Sequence, residues 1–388
     1  MRELSRSMIK KGMISIIICC FLLQILASSV YAKEQVTFPI SGQAAVLMEQ
    51  ESGRVLYGKN EHQPLKIASI TKIMTAILAI ESGKLDETVL ISKNAEGTEG
   101  SSLYLVSGEK MKLEDLVYGL MMRSGNDAAM AIAEHVGGSV EGFVYMMNEK
   151  AEEIGMSHTL FRNPHGLDTH EDHLSSAYDM ALLTQYAMEN ETYQTISSTK
   201  KYRSQGENVR VFHNKNRLLT EKYDYSTGGK TGYTKLAKRT LVSTASKDGL
   251  DLITVTLNDP NDWDDHMNLF NWGFRHFQLH TLIEAGPVQV DTKDAYTDHL
   301  TIKHPVIYPL TTEERSAIQP KLEIVHPPTQ PLSDEERTKP VGTLKFIANG
   351  EEMESTPLYY EEGEEEKERS FWEKIRQLFS IVVGAGSR

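Results

Sequence analysis

The chain has 388 residues, of which 40% are apolar and 24% charged, so it is long enough for two globular domains. Its formal net charge of −13 argues against nucleic-acid binding, which depends on a basic surface. Both cysteines, Cys19 and Cys20, lie in an N-terminal apolar segment. If that segment is removed, the mature chain has no disulfide, thiolate metal ligand or cysteine nucleophile.

Residues 1–32 are predicted to be a secretory signal peptide. Four basic side chains precede an apolar run over about residues 13–27, and Val30-Tyr31-Ala32 follows as a small-residue cleavage pattern. An uncleaved membrane anchor is the alternative, but the run is shorter than the roughly 20 residues that a spanning helix prefers. We therefore expect a protein secreted to the outer face of the cytoplasmic membrane.

The mature chain is predicted to begin with a β-hairpin, formed by residues 44–50 and 54–58 around Glu51-Ser52-Gly53. A helix follows over residues 67–81 and ends near Gly83. Apolar side chains at helical spacing give this helix one buried stripe. They are Ile70, Ile73, Met74, Ile77 and Ile80.

Ser69 and Lys72 stand three residues apart at the start of this helix, one above the other on the same face. A hydroxyl and an amine in contact there form a candidate nucleophile and base. Burial lowers the pKa of a lysine, and a helix N-terminus favours negative charge on the serine oxygen. The S-x-x-K pattern by itself is weak evidence. It recurs in this chain at Ser7, Ser107, Ser197 and Ser198.

Three more helices are predicted in the next part of the chain. The pattern L-E-D-L-V-Y-G-L-M-M, which follows Lys112, is amphipathic and runs into a polar break at residues 123–127. Apolar helices then fit residues 128–136 and 140–154, each followed by glycine.

The sequence F-R-N-P-H-G-L-D at residues 161–168 is typical of a turn. His165, His170 and His173 lie close together in this region. Their spacing differs from H-E-x-x-H, and the acidic residues between them indicate a solvated loop. We therefore favour the loop over a metal site.

The glycine-rich sequence S-T-G-G-K-T-G at residues 226–232 does not satisfy the phosphate-loop pattern, because neither Asp224 nor Tyr225 is glycine. Residues 240–245 and 252–257 are predicted strands, and residues 263–277 a helix. Helices in the middle of this region with strands at both ends indicate an α/β fold of the α+β kind. One antiparallel sheet would be built from distant pieces of chain.

After about Gly286 the composition changes to short alternating segments separated by proline and polar residues, with a strong hairpin signal at Asn349-Gly350. We predict four parts. They are a signal peptide at 1–32, a larger domain at 33–285, a small all-β domain at 286–360, and a linker with an amphipathic helix at 361–388.

The last part begins with an acidic run at residues 361–369, which is predicted to be a flexible linker. The following segment places its large apolar side chains on one helical face, which suits a helix lying in a membrane interface. They are Phe371, Ile375, Leu378, Phe379 and Val382. The alternative is a helix docked on the protein itself.

Three motifs occur in order: Ser69-Ile70-Thr71-Lys72, Ser124-Gly125-Asn126 and Lys230-Thr231-Gly232. Their first residues are 55 and 106 positions apart. S-x-N alone is also weak, since it recurs at Ser92, whereas K-T-G occurs once. The trio together is typical of penicillin-binding proteins and β-lactamases.

With these motifs the chain resembles the D-alanyl-D-alanine carboxypeptidases among the low-molecular-mass penicillin-binding proteins. Supporting stretches are A-S-I-T-K-I-M-T, R-S-G-N-D-A-A, F-R-N-P-H-G-L-D and G-K-T-G-Y-T. The resemblance covers nearly the whole chain and implies a penicillin-binding/β-lactamase-like, transpeptidase-like catalytic domain at 33–285. The region from Gly229 to Gly249 looks like the branch that trims spore cortex peptidoglycan, which implies a forespore association. Ala237-Lys238-Arg239 departs from the commoner Ala-Gly pattern and bears on substrate preference.

Residue chemistry agrees with the catalytic roles that the resemblance implies. Ser69 attacks the carbonyl between two D-alanines, and neutral Lys72 takes its proton. A second cation at Lys230 lowers the Lys72 pKa further. Ser124 passes a proton to the leaving amine, and Asn126 holds an amide of the substrate.

The same resemblance assigns the substrate contacts. Lys230 and Thr231 suit the terminal carboxylate of a peptidoglycan stem peptide, and Gly232 lets the substrate backbone approach the strand. By analogy with the family, the backbone N–H groups of Ser69 and Tyr233 form the oxyanion hole. Neither a metal nor another cofactor is expected, and β-lactams are expected to acylate Ser69.

Three other functions stay open at this point. A β-lactamase or a transpeptidase uses the same scaffold and differs in deacylation or in the acceptor. A catalytically silent peptidoglycan-binding protein would use Ser69 only structurally, although the three intact motifs argue against it. A Ser-His-Asp triad is disfavoured because no G-x-S-x-G is present.

Overall fold

The computed structural model describes residue 36 and residues 38–205, 208–289, 300–325 and 338–360. The predicted signal peptide and the predicted C-terminal amphipathic helix lie outside these residues. Within the described ranges, no helix combines the length and the apolarity that crossing a bilayer would require.

The larger part of the chain combines strands and helices, as predicted. Its strands are β1 (Ala44–Glu49), β2 (Val55–Lys59), β3 (Thr88–Leu90), β4 (Lys110–Lys112), β5 (Lys201–Arg203), β6 (Val211–His213), β7 (Ser226–Thr234), β8 (Lys238–Lys247) and β9 (Leu250–Leu257). Its helices are α1 (Lys72–Glu81), α2 (Leu113–Arg123), α3 (Asn126–Gly137), α4 (Val140–Glu153), α5 (Ala177–Met188), α6 (Glu191–Ser198) and α7 (Asp262–His276). Helices α5 and α6 were not predicted.

The central sheet has five strands in the order β2-β1-β9-β8-β7, and all its pairings are antiparallel. Strand β1 pairs with its hairpin partner β2 and with β9, so Val46 lies opposite Val255. This pairing confirms both the predicted hairpin and the predicted sheet from distant segments. Strand β7 lies at the edge of the sheet.

Helices cover both faces of this sheet. All six residues of β1 are buried, although successive side chains of a strand point to opposite faces. Helices α5 and α7 both pack against β1 and β9. Both faces of the central strands therefore lie in the core.

Helix α1 is more deeply buried than one apolar stripe would require. Nine of its ten residues are buried, including Lys72 and Thr75. Helices α2, α3, α4, α5 and α6 all contact it, so almost every direction around its axis faces protein. A helix surrounded in this way gives its first residues, beside Ser69, a fixed position.

A β-rich C-terminal region follows. Its strands are β10 (Gln278–Ile283), β11 (Gly286–Val288), β12 (Leu300–Ile302), β13 (Val306–Leu310), β14 (Gln319–Ile324), β15 (Gly342–Ala348) and β16 (Glu351–Tyr360). One sheet has the order β11-β12-β16-β15-β14, and β10 pairs with β13. Asn349 and Gly350, both with positive φ, join β15 to β16 and confirm the predicted hairpin. A short helix, α8 (Thr312–Ala317), was not predicted.

Arg54 joins the central sheet to this C-terminal region. Its guanidinium makes a bidentate ion pair with Glu314 and donates to the carbonyl of Pro309. The same group lies 5.3 Å from the ring centre of Phe277 and 5.2 Å from that of Tyr308. Because the Arg54 side chain is only 13% exposed, these contacts are largely shielded from water.

We expect Arg54→Ala to lower the free energy of unfolding by about 1–3 kcal/mol, because it leaves the half-buried Glu314 carboxylate without its partner. Arg217→Ala is the matched control. It removes an exposed pair with Glu221, whose side chains are 54% and 58% exposed, and should cost less than about 1 kcal/mol. Urea unfolding measures both variants. Equal losses would contradict the role given to Arg54.

Candidate active site

Ser69 lies on a 3₁₀ turn, Ala68–Thr71, that leads directly into α1. In a 3₁₀ turn, side chains three residues apart eclipse one another, so Ser69 lies directly over Lys72. The Nζ atom of Lys72 lies 2.9 Å from the Oγ atom of Ser69. Lys72 is fully buried, whereas Ser69 is partly exposed. The two residues are therefore in contact, and the serine faces the cleft.

Two carbonyl oxygens complete the surroundings of the Lys72 amine. Nζ lies 2.6 Å from Oδ1 of Asn126 and 2.7 Å from the backbone oxygen of His165. Both oxygens only accept hydrogen bonds. A neutral amine has two N–H groups for these oxygens, and its lone pair then faces the Ser69 hydroxyl.

Electrostatics favour the neutral form of Lys72. Burial lowers its pKa well below the ordinary value of 10.5, and the nearby cations Lys230 and Lys215 lower it further, while Asp127 acts in the opposite direction. Burial, followed by the effect of Lys72, also lowers the pKa of His165 to about 3. The His165 ring is therefore neutral beside the amine.

The Ser124-Gly125-Asn126 motif forms the joint between α2 and α3. Ser124 ends α2 in a left-handed conformation, with φ of +64°, and Asn126 begins α3. Asn126 donates from Nδ2 to the carbonyl of Glu99 at 2.5 Å and from its backbone N to Ser101 at 2.7 Å. These bonds direct the side-chain oxygen of Asn126 toward Lys72.

Lys230 reaches the same cleft from the edge strand β7. It is 1% exposed, and its Nζ atom donates to Oγ of Ser124 at 3.1 Å and to the backbone oxygen of Thr231 at 2.7 Å. Burial, together with Lys215, lowers its pKa to about 7. The structure thus brings the predicted pair Ser69–Lys72 together with Ser124, Asn126 and Lys230.

Gly232 lets β7 pass close to the serine turn. A Cβ atom at this position would overlap Oγ1 of Thr240 and lie 3.0 Å from the backbone N of Ser69. Thr240 in turn donates to the carbonyl of Ile67 at 2.9 Å, which ties β8 to the same turn. Only glycine therefore fits between the sheet and the serine turn.

Thr231 and Tyr233 flank this glycine on the edge strand. Thr231 is partly exposed, and the Tyr233 side chain is 64% exposed. In the ladder they lie opposite Leu241 and Arg239 of β8. All eight predicted site residues therefore lie either at the serine turn, at the α2–α3 joint or on this segment of β7.

Asp127 supports the site and was not singled out from the sequence. Its buried carboxylate accepts hydrogen bonds from the Ser102 hydroxyl and from the backbone N–H groups of Leu103, Leu105 and Ala128. These bonds hold the 101–105 loop beside Asn126. Asp127 lies in the stretch R-S-G-N-D-A-A. No sequence spacing, however, distinguishes a buried carboxylate that holds a loop from an exposed one.

The histidine-rich segment has a structural use. Nε2 of His173 lies 2.9 Å from Oγ1 of Thr71, and its Nδ1 accepts from the backbone N–H of Arg162 at 2.9 Å. Burial lowers the His173 pKa to about 4. Across the residues that the structure describes, no three His, Cys, Asp or Glu side chains are grouped so that they could hold a metal ion.

The lowered Lys230 pKa predicts how stability changes with pH. Below pH 7 the Lys230 amine is charged in both the folded and the unfolded state, so the free energy of unfolding is lowered by the full cost of burying that charge. Between about pH 7 and 10.5 the unfolded state keeps its proton and the folded state does not, so stability rises with pH. Lys230 contributes at most about 1.4 kcal/mol per pH unit to this rise.

Chemical unfolding at a series of pH values tests this prediction. Lys230→Met should make the rise in unfolding free energy less steep, leaving the part due to Lys72, whereas the exposed Lys110→Met should leave the rise unchanged. A Lys230→Met curve parallel to that of the unmodified protein would contradict the lowered pKa.

Comparison with known proteins identifies the family. Residues 30–261 match the sequence profile of D-alanyl-D-alanine carboxypeptidases. The chain is 34% identical over 297 residues to D-alanyl-D-alanine carboxypeptidase DacF of Bacillus subtilis, which covers 73% of this chain and 76% of that protein. It is 32% identical over 367 residues to D-alanyl-D-alanine carboxypeptidase DacC of Escherichia coli, with coverage of 88% and 89%.

Solved structures agree with this assignment. Penicillin binding protein 5 of Haemophilus influenzae aligns with a TM-score of 0.74 at 28% sequence identity, over 84% of this chain and 98% of that chain. The likeness confirms the predicted penicillin-binding-protein fold of helices and antiparallel sheet, with a separate β-rich C-terminal region. On these grounds the chain belongs to the D-alanyl-D-alanine carboxypeptidase family.

Proposed function

We propose that this chain removes the terminal D-alanine from peptidoglycan pentapeptides through a covalent acyl-enzyme on Ser69. The observation that carries the proposal is the buried Lys72 amine, 2.9 Å from the serine hydroxyl and held by two carbonyl oxygens. A serine hydroxyl is a weak nucleophile until an adjacent base removes its proton. Lys72 is that base, because its surroundings favour the neutral amine.

Acylation then proceeds in one cleft. Ser69 Oγ attacks the carbonyl carbon of the penultimate D-alanine as its proton passes to Lys72. The negative oxygen that forms is stabilised by the backbone N–H groups of Ser69 and Tyr233. The close passage of β7 at Gly232 supports this assignment, since it brings the two backbone segments together.

Departure of the terminal D-alanine needs a proton on its amine. Ser124 relays to it the proton that Lys72 took from Ser69, and the Lys230 amine, 3.1 Å from the Ser124 hydroxyl, holds that hydroxyl in place. Lys230 and Thr231 bind the terminal carboxylate, and Asn126 holds the amide before the scissile bond. An incoming carboxylate raises the Lys230 pKa above about 7, so the ammonium form pairs with it.

Water hydrolyses the acyl-enzyme and releases the shortened peptide. A β-lactam mimics the D-Ala-D-Ala carbonyl, acylates Ser69 and is released slowly. A transpeptidase would pass the acyl group to an amine instead, and a β-lactamase would hydrolyse the penicilloyl enzyme rapidly. The names of the relatives favour the carboxypeptidase over both.

The substrate also indicates where the protein works. Peptidoglycan lies outside the cytoplasmic membrane, so an extracytoplasmic location follows from the reaction. Attachment to the membrane surface through the C-terminal amphipathic helix is the finer part of the proposal and rests on the sequence of residues 370–388. The role in spore cortex synthesis likewise rests on the resemblance of the K-T-G region.

Ser69→Ala should lower D-alanine release from a pentapeptide by at least about 10³-fold, because it removes the nucleophile. Ser107→Ala is the matched control. Ser107 begins another S-x-x-K sequence but lies in an exposed turn before β4, so its activity should equal that of the unmodified protein. Retained hydrolysis in Ser69→Ala would refute the proposed nucleophile.

Deleting residues 370–388 should release active enzyme from membranes into the soluble fraction, because it removes the apolar helical face. Phe379→Glu, on that face, should weaken membrane binding, whereas Lys374→Gln, off that face, should not. Sedimentation with zwitterionic phosphatidylcholine vesicles measures binding, because an anionic surface would also respond to the charges that these substitutions change. D-alanine release checks that each variant is folded. Full membrane binding of the deletion variant would place the anchor elsewhere.

A further inference from the structure

The turn between β7 and β8 carries a lysine where the backbone favours glycine. Lys238 has φ of +59°, in the left-handed region that side chains other than glycine, asparagine and aspartate rarely adopt. The commoner family pattern has Ala-Gly here, and this chain has Ala237-Lys238. A lysine at this position adds backbone strain that glycine would avoid.

The side chains of Lys235 and Lys238 take no part in holding this turn. The turn is closed by backbone bonds from Leu236 N to the Asp168 carboxylate at 3.3 Å and from Ala237 N to the Thr234 hydroxyl at 3.0 Å. Both lysines are exposed, and neither ammonium forms an ion pair within the described part of the chain. Two lysines without an ion pair therefore flank a turn that also contacts the Asp168 carboxylate, in a protein of net charge −13.

This turn follows closely after Gly232, the point at which β7 passes beside the serine turn. Lys238 is opposite Thr234 in the β7–β8 ladder, and Thr240, two residues further, is opposite Gly232. Since Thr240 bonds to Ile67 beside the serine turn, Lys238 lies only two ladder positions from the part of the sheet that contacts that turn.

The direction of a bound peptide follows from the roles proposed above. β7 is an edge strand, and an extended peptide can add to its free edge. With its terminal carboxylate at Lys230 and Thr231 and its scissile carbonyl at Tyr233, the peptide runs antiparallel to β7. Its upstream residues therefore continue past Thr234 toward the turn.

The length of an extended stem peptide would bring its upstream carboxylates to Lys235 and Lys238. An extended peptide advances about 3.3 Å per residue, the same as the strand beside it. The first two or three residues before D-Ala-D-Ala therefore reach the level of Lys235 and Lys238. Stem peptides carry their free carboxylates on those residues, and lysine pairs with carboxylate as a point charge.

We propose that Lys235 and Lys238 bind a free carboxylate of the stem peptide upstream of D-Ala-D-Ala. They thereby select acidic stems over amidated ones. This inference rests on the proposed function, because the peptide direction depends on the placing of its C-terminus. It makes Lys238 a specificity-determining residue, which explains why a lysine occupies a strained position.

Steady-state kinetics of D-alanine release test the proposal with three substrates. They are a pentapeptide with a free glutamyl α-carboxylate, the same peptide with that group amidated, and diacetyl-lysyl-D-Ala-D-Ala, which has no upstream carboxylate. Lys238→Gly and Lys235→Gln should each raise KM for the acidic pentapeptide by about twofold to fivefold with kcat unchanged. The other two substrates should show no change, and about 1 M salt should abolish the difference.

Lys238→Gly is an informative variant because it removes the charge and the strain together. Its melting temperature should equal or exceed that of the unmodified protein, so a raised KM cannot come from unfolding. Lys110→Gln, an exposed lysine on β4, is the control and should leave all three KM values unchanged. An unchanged KM in both variants, or an equal rise for all three substrates, would overturn the proposal. Release of D-alanine from the tripeptide by the unmodified protein tests the proposed function separately.

Discussion

Two buried lysine amines in one cleft are the constraint on which the rest of this site depends. Lys72 and Lys230 are both withdrawn from water, which lowers both pKa values; Lys230 and Lys215 further oppose charge on Lys72, and Lys215 opposes charge on Lys230. Placing two ammonium groups there would be costly, so the pKa of each is lowered. Lys72 is thereby prepared to accept a proton without a carboxylate partner. Lys230 has a pKa of about 7 and can regain its charge when an anion enters.

The fold supplies each amine from a different kind of element. Lys72 begins a helix that is surrounded by protein, so its position is fixed by packing, whereas Lys230 comes from a strand at the sheet edge. An edge strand leaves backbone N–H and C=O groups available, which suits a site for an extended peptide. The joint between α2 and α3 connects the two, because Ser124 accepts a hydrogen bond from Lys230 and Asn126 accepts one from Lys72. The proposed base is therefore held by packing, while the edge of β7 stays available for the proposed peptide.

Much of the fold and site was predictable because the relevant residues repeat in regular patterns. The apolar helix after Ser69 distinguished it from other S-x-x-K sequences, and the structure gives Ser107 and Ser197 different environments. Ser107 lies in an exposed turn, and Ser197 accepts a hydrogen bond from the backbone of Gly229. The features that could not be predicted depend on backbone geometry. Every residue has a backbone carbonyl, so the sequence does not indicate that the one at His165 contacts Lys72. Lysine rarely adopts the left-handed conformation, so the sequence does not indicate it at Lys238.

The central claim, that Lys72 is neutral at working pH, can be measured directly. NMR of protein labelled with ¹³C at the lysine Cε positions follows each amine through a pH titration, and a Lys72→Met variant identifies the Lys72 signal by its loss. Because Lys72 is buried beside two other lysines, this signal should titrate far below the ordinary lysine pKa of 10.5. A Lys72 signal that stays protonated up to about pH 10 would contradict it, since the amine could not then accept the serine proton.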